Sequence, residues 1–402
     1  MPSYSSAEKV FSRKRLTVGI NTLFLIPGEV GGSETYFVQT LSALLGGDYS
    51  LDVVLFTQLD NDAFLRSIFS KYSEVTFCKL NFRASSRVMR ILREQWELPF
   101  RAAQYPLDLL WSPGYTAPLF AGCRQVVSVL DMQYKNFSGD FSELATRVMD
   151  FLIQAISWKR SFVITISEFS KKEILKYTSI LPERVFVTPL AVEDVFSQPI
   201  PVADISQEVS DVISRREPYL LCVSNTYPHK NVAALIQAFT DLPADYPHHL
   251  VLIGKPARGE EAVRKAIDKL PPGKKVFRLK GLGKKDLIAL YQHADLFIFP
   301  SLYEGFGLPV LEAMRAGTLV LTTRCASIPE VAEDCAVYFD PHAPEDLARQ
   351  IQAALLLPTD SRSGLVERGR KRAQGFSWIQ TAAKTYDCFC GVCNRGSAGR
   401  QP

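Results

Sequence analysis

Short apolar runs alternate along the chain with longer amphipathic ones, the rhythm of βα units that build a parallel sheet. The run LTVGIN at 16 to 21 predicts a buried strand, and the stretch GEVGGSE after it predicts a glycine-rich turn. From Ser33 a helix follows, with apolar residues recurring at Phe37, Leu41, Leu44 and Leu45 until Gly46 and Gly47 end it. LDVVLFT (51 to 57), LDLLWSP (107 to 113), QVVSVLD (125 to 131), SFVITIS (161 to 167) and RVFVTPL (184 to 190) predict further strands of one sheet. Between 197 and 217 the pattern breaks into SQPIPVADISQEVSDVISRRE, and a second series opens with YLLCVS (219 to 224). HLVLIG (249 to 254), KVFRLKG (275 to 281), LFIFPS (296 to 301), TLVLTT (318 to 323) and AVYFD (336 to 340) continue it. The expectation is an α/β protein of two Rossmann-like domains, residues 1–200 and 201–375. A helix and tail over 376–402 follow, with either domain, the first included, open to the helix as a packing partner.

Composition narrows the function classes. A chain of 402 residues, 47% hydrophobic and 22% charged, is long enough for two cores and too apolar for general disorder. A net charge of +4 is only mildly basic, and with no base-reading module in view nucleic acid is not an expected partner. The first fifteen residues, MPSYSSAEKVFSRKR, lack the apolar core of a signal peptide. No run approaches the roughly 18 to 20 apolar residues that span a bilayer. The expected location is therefore the cytoplasm, or the inner face of a membrane as a peripheral protein. Eight cysteines read as reduced thiols. Three of them, Cys388, Cys390 and Cys393 in CFCGVC, have half the spacing of a metal site but neither a second CxxC nor a paired histidine, so they read as ordinary C-terminal residues.

The chemistry concentrates in PSLYEGFGLPVLEAMRAG, residues 300 to 317. Pro309 can start a helix there and Gly317 can end it, which puts Glu312 in the first turn and Glu304 in the preceding loop. A helix N-terminus offers unpaired backbone N–H groups, and Gly305 and Gly307 let that backbone approach an anion closely. Carboxylates are poor partners for phosphate and good acceptors for vicinal hydroxyls, so the expected ligand carries both phosphates and sugars. The loop around Gly31 and Gly32 joins a strand to a helix, where such sheets bind ligands, but it matches neither GxGxxG nor a Walker loop. Its two readings are amides offered to a phosphate and a tight βα turn. Lys230, with His229 beside it, follows the strand YLLCVS and is a point charge suited to a diphosphate. All three loops are expected at C-terminal strand ends, able to converge in one cleft.

These residues resemble family 4 of the retaining glycosyltransferases, the group with two facing Rossmann domains called the GT-B fold. The resemblance rests on GGSE at 31 to 34, VVSVLDMQY at 126 to 134, VITISEFSKKEI at 163 to 174, YPHKN at 227 to 231 and EGFGLPVLE at 304 to 312, and it runs from about residue 16 to about 390. It implies that Lys230 binds the donor diphosphate, that Glu312 accepts from the ribose hydroxyls and that Glu304 holds the hydroxyls of the transferred sugar. The amides of Phe306, Gly307 and Leu308 would contact sugar and phosphate, with Gly31 and Gly32 meeting the diphosphate. Catalysis in the family needs no metal or other cofactor. Within it the pattern looks most like bacterial mannosyltransferases of surface polysaccharide assembly, which implies GDP-mannose as donor and a glycan or lipid-linked acceptor.

Two departures stand out. Where many members read His-Asp, this chain has Leu130-Asp131, which leaves Asp131 as the group to assist at the sugar. The arginine many members carry before the lysine is replaced by Ser224 or Asn225, so Asn225 and His229 join the donor-binding candidates. The mechanism expected is transfer with retention, the departing phosphate taking the acceptor proton; the alternative is a double displacement with Asp131 as nucleophile. A nucleotide-sugar epimerase of the same fold and a non-catalytic nucleotide-sugar binder are the other readings. Arg83, Arg87, Arg90 and Arg93 fall at helical spacing beside Met89, Ile91, Leu92 and Trp96. That stretch reads either as a face docking on an anionic membrane or as a solvated helix over ordinary core.

Overall fold

The computed structural model describes residues 15–84, 86–137, 143–159, 161–214, 217–243 and 246–394. Two sheets organise them. The first takes the order β3-β2-β1-β4-β5-β6-β7, from β1 (Leu16–Asn21), β2 (Leu51–Thr57), β3 (Val75–Lys79), β4 (Leu109–Ser112), β5 (Arg124–Ser128), β6 (Phe162–Thr165) and β7 (Val185–Val187). The second runs β10-β9-β8-β11-β12-β13, from β8 (Tyr219–Val223), β9 (His249–Ile253), β10 (Val276–Leu279), β11 (Leu296–Phe299), β12 (Val320–Thr323) and β13 (Val337–Phe339). β1 lies parallel between β2 and β4, and β8 lies parallel between β9 and β11. Both sheets thus reverse strand order beside their first strand, the doubly wound arrangement that gathers ligand loops at the carboxyl ends of the strands. The fold is α/β with two Rossmann-like sheets, as the alternating pattern predicts.

The differences from the sequence reading are local. Strands end earlier than the apolar runs do: β5 stops at Ser128, so Leu130 and Asp131 lie in the loop beyond it. β3 is absent from the sequence reading because VTFCK is short, partly exposed and lies at the sheet edge, so it leaves no continuous apolar run. The broken stretch after residue 197 holds a helix, Gln207–Ser214, that buries only Val209 and Val212. Glu312 sits in the second turn of the helix Leu308–Ala316, not the first, because Gly307 caps that helix and the count starts at Leu308.

Packing divides the chain into two compact units, residues 1–128 with 158–163 and 385–402, and residues 129–157 with 164–384. In the first unit Trp111 is the centre of the core. Its ring meets Tyr36, Phe37 and, from the last helix Trp378–Asn394, Phe389 at centroid distances of 6.2, 6.1 and 5.6 Å. Its indole N–H donates to Ser128 Oγ at 2.9 Å, which satisfies the one polar atom the ring carries inward. In the second unit Leu220, Leu235, Phe239, Leu250, Ile298, Leu321 and Ile351 pack the β8–β13 sheet against its helices.

Candidate functional site

In the second unit, the loops after β8 and β11 meet through charge. Lys230 ends a short 3-10 turn, Pro228–Lys230, that Asn231 closes in the left-handed region at φ 58°. Its Nζ donates to Glu304 Oε1 at 2.6 Å, with the two side chains only 21% and 10% exposed. The turn is anchored from behind: the buried His229 gives its carbonyl to the Leu302 amide at 2.8 Å, and its Nδ1 lies 3.1 Å from Gln133 Nε2. Tyr227 stacks on the His229 ring and Phe137 packs on it at 5.5 Å. A lysine ammonium, otherwise mobile, is thus held to one place.

The segment after Glu304 is equally fixed. Gly305 gives its carbonyl to Ser167 Oγ at 2.7 Å and Ser170 Oγ at 3.2 Å. A Cβ at Gly305 would stand 3.0 Å from both Cβ and Oδ2 of Asp131, so only glycine lets these backbones close. Asp131 in turn accepts from the Gln133 amide at 3.1 Å. Phe306 is buried edge-on against Phe376. Gly307 adopts φ 96°, a left-handed value that suits glycine, and from there the helix Leu308–Ala316 begins with Pro309 in its first turn. The unpaired N–H groups of that first turn carry the partial positive charge of a helix start.

Glu312 lies one turn further in. Its Oε2 accepts from the Tyr291 hydroxyl at 2.9 Å. Burial pushes its carboxyl up to about 7, the Tyr291 hydrogen bond and Lys284 opposing and Glu193 adding to the rise. Burial likewise holds the Tyr291 hydroxyl well above its ordinary range, with the Glu312 charge in support. Asn225 plays a structural part: its Oδ1 accepts from the Lys255 amide at 2.8 Å and joins the loops after β8 and β9. Lys230, Glu304, Gly305 and Asp131 therefore form one constellation, with His229 directly behind it and Glu312 on the adjoining helix.

Gly31 and Gly32 belong to the first unit. They open the helix Gly32–Gly46, with Gly31 at φ 57° and open space where a Cβ would stand on either. Glu34 folds back to accept from the Gly28 amide at 2.7 Å and steadies the loop. The same unit holds an Asp-x-Asp triplet, Asp60-Asn61-Asp62, whose carboxylates are engaged by Arg83 and Ala84 on one side and by Thr57 and Arg66 on the other. Among the described residues no cluster of three or more His, Cys, Asp or Glu side chains is arranged to hold a metal; Cys388 is buried, Cys390 and Cys393 are half-buried, and none of the three is in a disulfide.

The basic stretch differs from its prediction. The helix Arg87–Ala102 starts after Ser86, so Arg83 lies outside it, paired with Asp60 at 3.1 Å. Arg87 opens the helix, with its side chain outside the described residues. Arg93 pairs with Glu97 at 2.7 Å. Arg90 is half-buried with a fully buried Nε. Beside the charged Arg93 and Arg101 the helix shows an apolar stripe to solvent: Val88, Leu92, Trp96 and Phe100, at four-residue spacing, are 69%, 47%, 70% and 72% exposed. No described helix is long and apolar enough to cross a membrane.

Several contributors carried no role in the sequence reading. Ser167, Ser170 and Gln133 lie in the motif segments VITISEFSKKEI and VVSVLDMQY, which are the signal that could have drawn attention to them. Tyr303, whose hydroxyl accepts from the Met132 amide at 3.2 Å, and Tyr291 have no such signal. Glu330 accepts from the Glu168 and Phe169 amides at 2.8 and 2.5 Å and caps the helix Glu168–Tyr177.

Comparison with known proteins completes the picture. Residues 206–372 match the family model described as Glycosyl transferases group 1. The serotype-specific mannosyltransferase WbdA of Escherichia coli is 35% identical over 233 residues, covering 56% of this chain and 28% of WbdA. The O-antigen chain mannosyltransferase B of Escherichia coli is 30% identical over 235 residues, 56% of this chain and 60% of that protein. The chain thus spans less than two thirds of the length of either relative. Among solved structures, Anabaena Alr3699/HepE in complex with UDP and glucose superposes over 94% of this chain and all of its own, with a TM-score of 0.74 at 18% identity. That likeness establishes the fold.

Gly305→Ala is expected to destabilise the protein by about 1–3 kcal/mol, because the new methyl must displace Asp131 or the Glu304 loop. Calorimetric unfolding of the variant measures this; an unchanged transition would show that Asp131 yields freely.

Proposed function

We propose, from the match of residues 206–372 to the family model of glycosyl transferases group 1, that the chain moves a sugar from a nucleotide diphosphate donor to a hydroxyl of a glycan or lipid-linked acceptor in surface polysaccharide synthesis. The Lys230–Glu304 pair at 2.6 Å beside the start of the helix Leu308–Ala316 carries the reading. A fixed cation and a helix start suit a diphosphate, and Glu304 and Glu312 suit sugar and ribose hydroxyls. Two relatives named as mannosyltransferases favour mannose, and with it GDP-mannose, as donor.

In this reading the diphosphate takes over Lys230 and the sugar hydroxyls take over Glu304, an exchange of partners rather than an exposure of charges. The amides of Phe306, Gly307 and Leu308 would donate to the leaving group. As the bond from the anomeric carbon to the diphosphate oxygen breaks, positive charge develops on the sugar and negative charge on the departing phosphate. Lys230 and the helix start stabilise the second by preorganised electrostatics. The acceptor oxygen bonds to the anomeric carbon on the same face, and its proton passes to the departing phosphate oxygen, which gives retention without a metal. Asp131, pressed against Gly305, faces the positive sugar; isolation of a sugar ester on Asp131 would instead establish a double displacement. Lys230→Ala should lower kcat on the order of 10²- to 10³-fold, while chelators leave the wild type unchanged and the product keeps the donor's anomeric configuration. Near-normal turnover in the variant would remove Lys230 from the mechanism.

Glu312 gives the reading a pH signature. Its carboxyl, raised to about 7, holds a proton in the folded protein that the unfolded chain releases above its ordinary range, so the raised value costs stability progressively as pH rises from about 4.5 toward 7. Ribose hydroxyls donate to the ionised form. Nucleotide affinity should therefore weaken below pH 7, by up to about tenfold per unit, in wild type but not in Glu312→Gln. Phosphates themselves titrate near about 6, and the variant supplies that baseline. Titrations of GDP and UDP by calorimetry at pH 6 and 8 test this and identify the base; identical pH slopes in both proteins would take Glu312 away from the ribose.

Peripheral membrane contact fits the helix Arg87–Ala102, whose exposed stripe of Val88, Leu92, Trp96 and Phe100 is flanked by Arg93 and Arg101. A Trp96→Ser, Phe100→Ser double variant should float far less with vesicles containing anionic lipid. Equal flotation would assign the stripe elsewhere.

A further inference from the structure

A second concave site adjoins the Lys230 turn, and the donor chemistry does not use it. A cavity of about 510 Å³ opens between residues 226–228, the start of the helix Val232–Asp241 and the helix Glu260–Ile267. That is the volume of a small-molecule site. None of Lys230, Glu304 and Glu312 lines it. Its walls are fixed to one another. Thr226 accepts from the Gly259 amide through its carbonyl and from the Ala257 amide through its Oγ1, both at 2.7 Å, and the same Oγ1 donates to Glu260 Oε2 at 3.0 Å. A Cβ at Gly259 would stand 2.6 Å from the Thr226 carbonyl oxygen, so only glycine lets the two segments meet.

The lining selects a ligand class. Tyr227 stacks on the His229 ring at 5.6 Å and 20°, and the residue is still 40% exposed, so a held aromatic surface remains open to a partner. The polarised C–H groups on one face of a sugar ring suit the negative face of such a ring. Asn231 spends no side-chain hydrogen bond on capping its helix, Arg258 brings a fork of N–H donors and Glu261 brings acceptors. Hydroxyls both donate and accept, so they can match all three. An anion would meet the Glu261 carboxylate, and Lys265 is already paired with that carboxylate at 2.6 Å. An apolar ligand would strip water from these polar groups and return nothing. The ligand that fits is neutral and rich in hydroxyls.

We propose that this cavity is a saccharide-binding site, which holds a glycan segment beside the donor site rather than in it. That the glycan contains mannose rests on the transferase reading, but binding is testable without turnover. The probes are α-mannan and the acidic polysaccharide hyaluronan, each cast into native gels. The readout is mobility relative to a gel without polysaccharide, which yields a dissociation constant. Mannan should retard the wild type in proportion to its concentration. Ala262→Trp, which fills the cavity from an exposed helix position, and Arg258→Ala should each bind about fivefold or more weakly. Ala262→Ser, which leaves the space open, and Lys230→Ala should bind as wild type does. A wild type that mannan does not retard, or an Ala262→Trp variant retarded equally, would overturn the site. Loss of retardation in Lys230→Ala would assign the glycan to the donor site instead, and stronger retardation by hyaluronan would overturn the neutral ligand. If GDP and UDP fail to bind while mannan still distinguishes Ala262→Trp from wild type, the transferase reading fails and the saccharide site stands.

Discussion

The Lys230–Glu304 ion pair is the contact on which the candidate site depends. Two strand-end loops, after β8 and β11, each place one charge in largely desolvated surroundings, and neither charge is tolerable alone. Pairing them at 2.6 Å fixes the two loops to one another. The supports follow from that need. His229 ties its turn to Leu302 through the backbone, and Gln133 meets its ring from the segment that also positions Asp131. A pair built this way is poorly justified as a stabilising device, since the cost of desolvating two charges offsets most of their attraction. It is well suited to charges that exchange partners, because each side chain already stands where a ligand group of opposite character would meet it.

Two partly buried carboxylates show how the same fold separates structural from poised acids. Glu260 is held down to about 2, chiefly by hydrogen bonds from Arg278 at 2.6 and 2.9 Å, with further donors in Thr226 and Arg264. It stays ionised and fastens the loop after β8 to the loop after β9. Glu312 has a hydroxyl rather than a cation as its close partner, and burial carries it the other way, to about 7. A carboxylate that is permanently ionised and paired has nothing left to offer a ligand. One near its titration point gains from any donor that favours its charge, which is why perturbed acids gather at functional sites.

Much of this was readable from residues. The βα rhythm locates both sheets because parallel strands buried on both faces are written as continuous apolar runs. The edge strand β3 fails that rule by being half-exposed, and no run betrays it. Lys230, Glu304, Gly305, Gly307 and Glu312 were legible because each combines an unusual residue type with a strand end or a helix start. Tyr303 and Tyr291 were not, since a buried tyrosine looks in sequence like any other aromatic core residue, and only the Met132 amide and the Glu312 carboxylate reveal what their hydroxyls do. Asn225 was legible as a replacement but not as a clamp on Lys255, a contact between residues thirty positions apart.

The helix Arg87–Ala102 marks the limit of periodicity most clearly. Amphipathic spacing states that a helix has an apolar side; it does not state which side turns inward. The default places the apolar side against the core, and here it holds only in part: Leu98 and Ala102 are buried with Leu23, Val54 and Phe56, while Glu94 on the same face satisfies Asn21 and Thr116 where β1 and β4 end. With the inward face filled by these residues, Val88, Leu92, Trp96 and Phe100 are left to solvent. Such an exposed stripe forgoes the burial that its side chains would gain in a core. The inward residues and the exposed stripe are therefore two sides of one rotation: the angle that brings Glu94, Leu98 and Ala102 inward is what turns Trp96 and Phe100 outward.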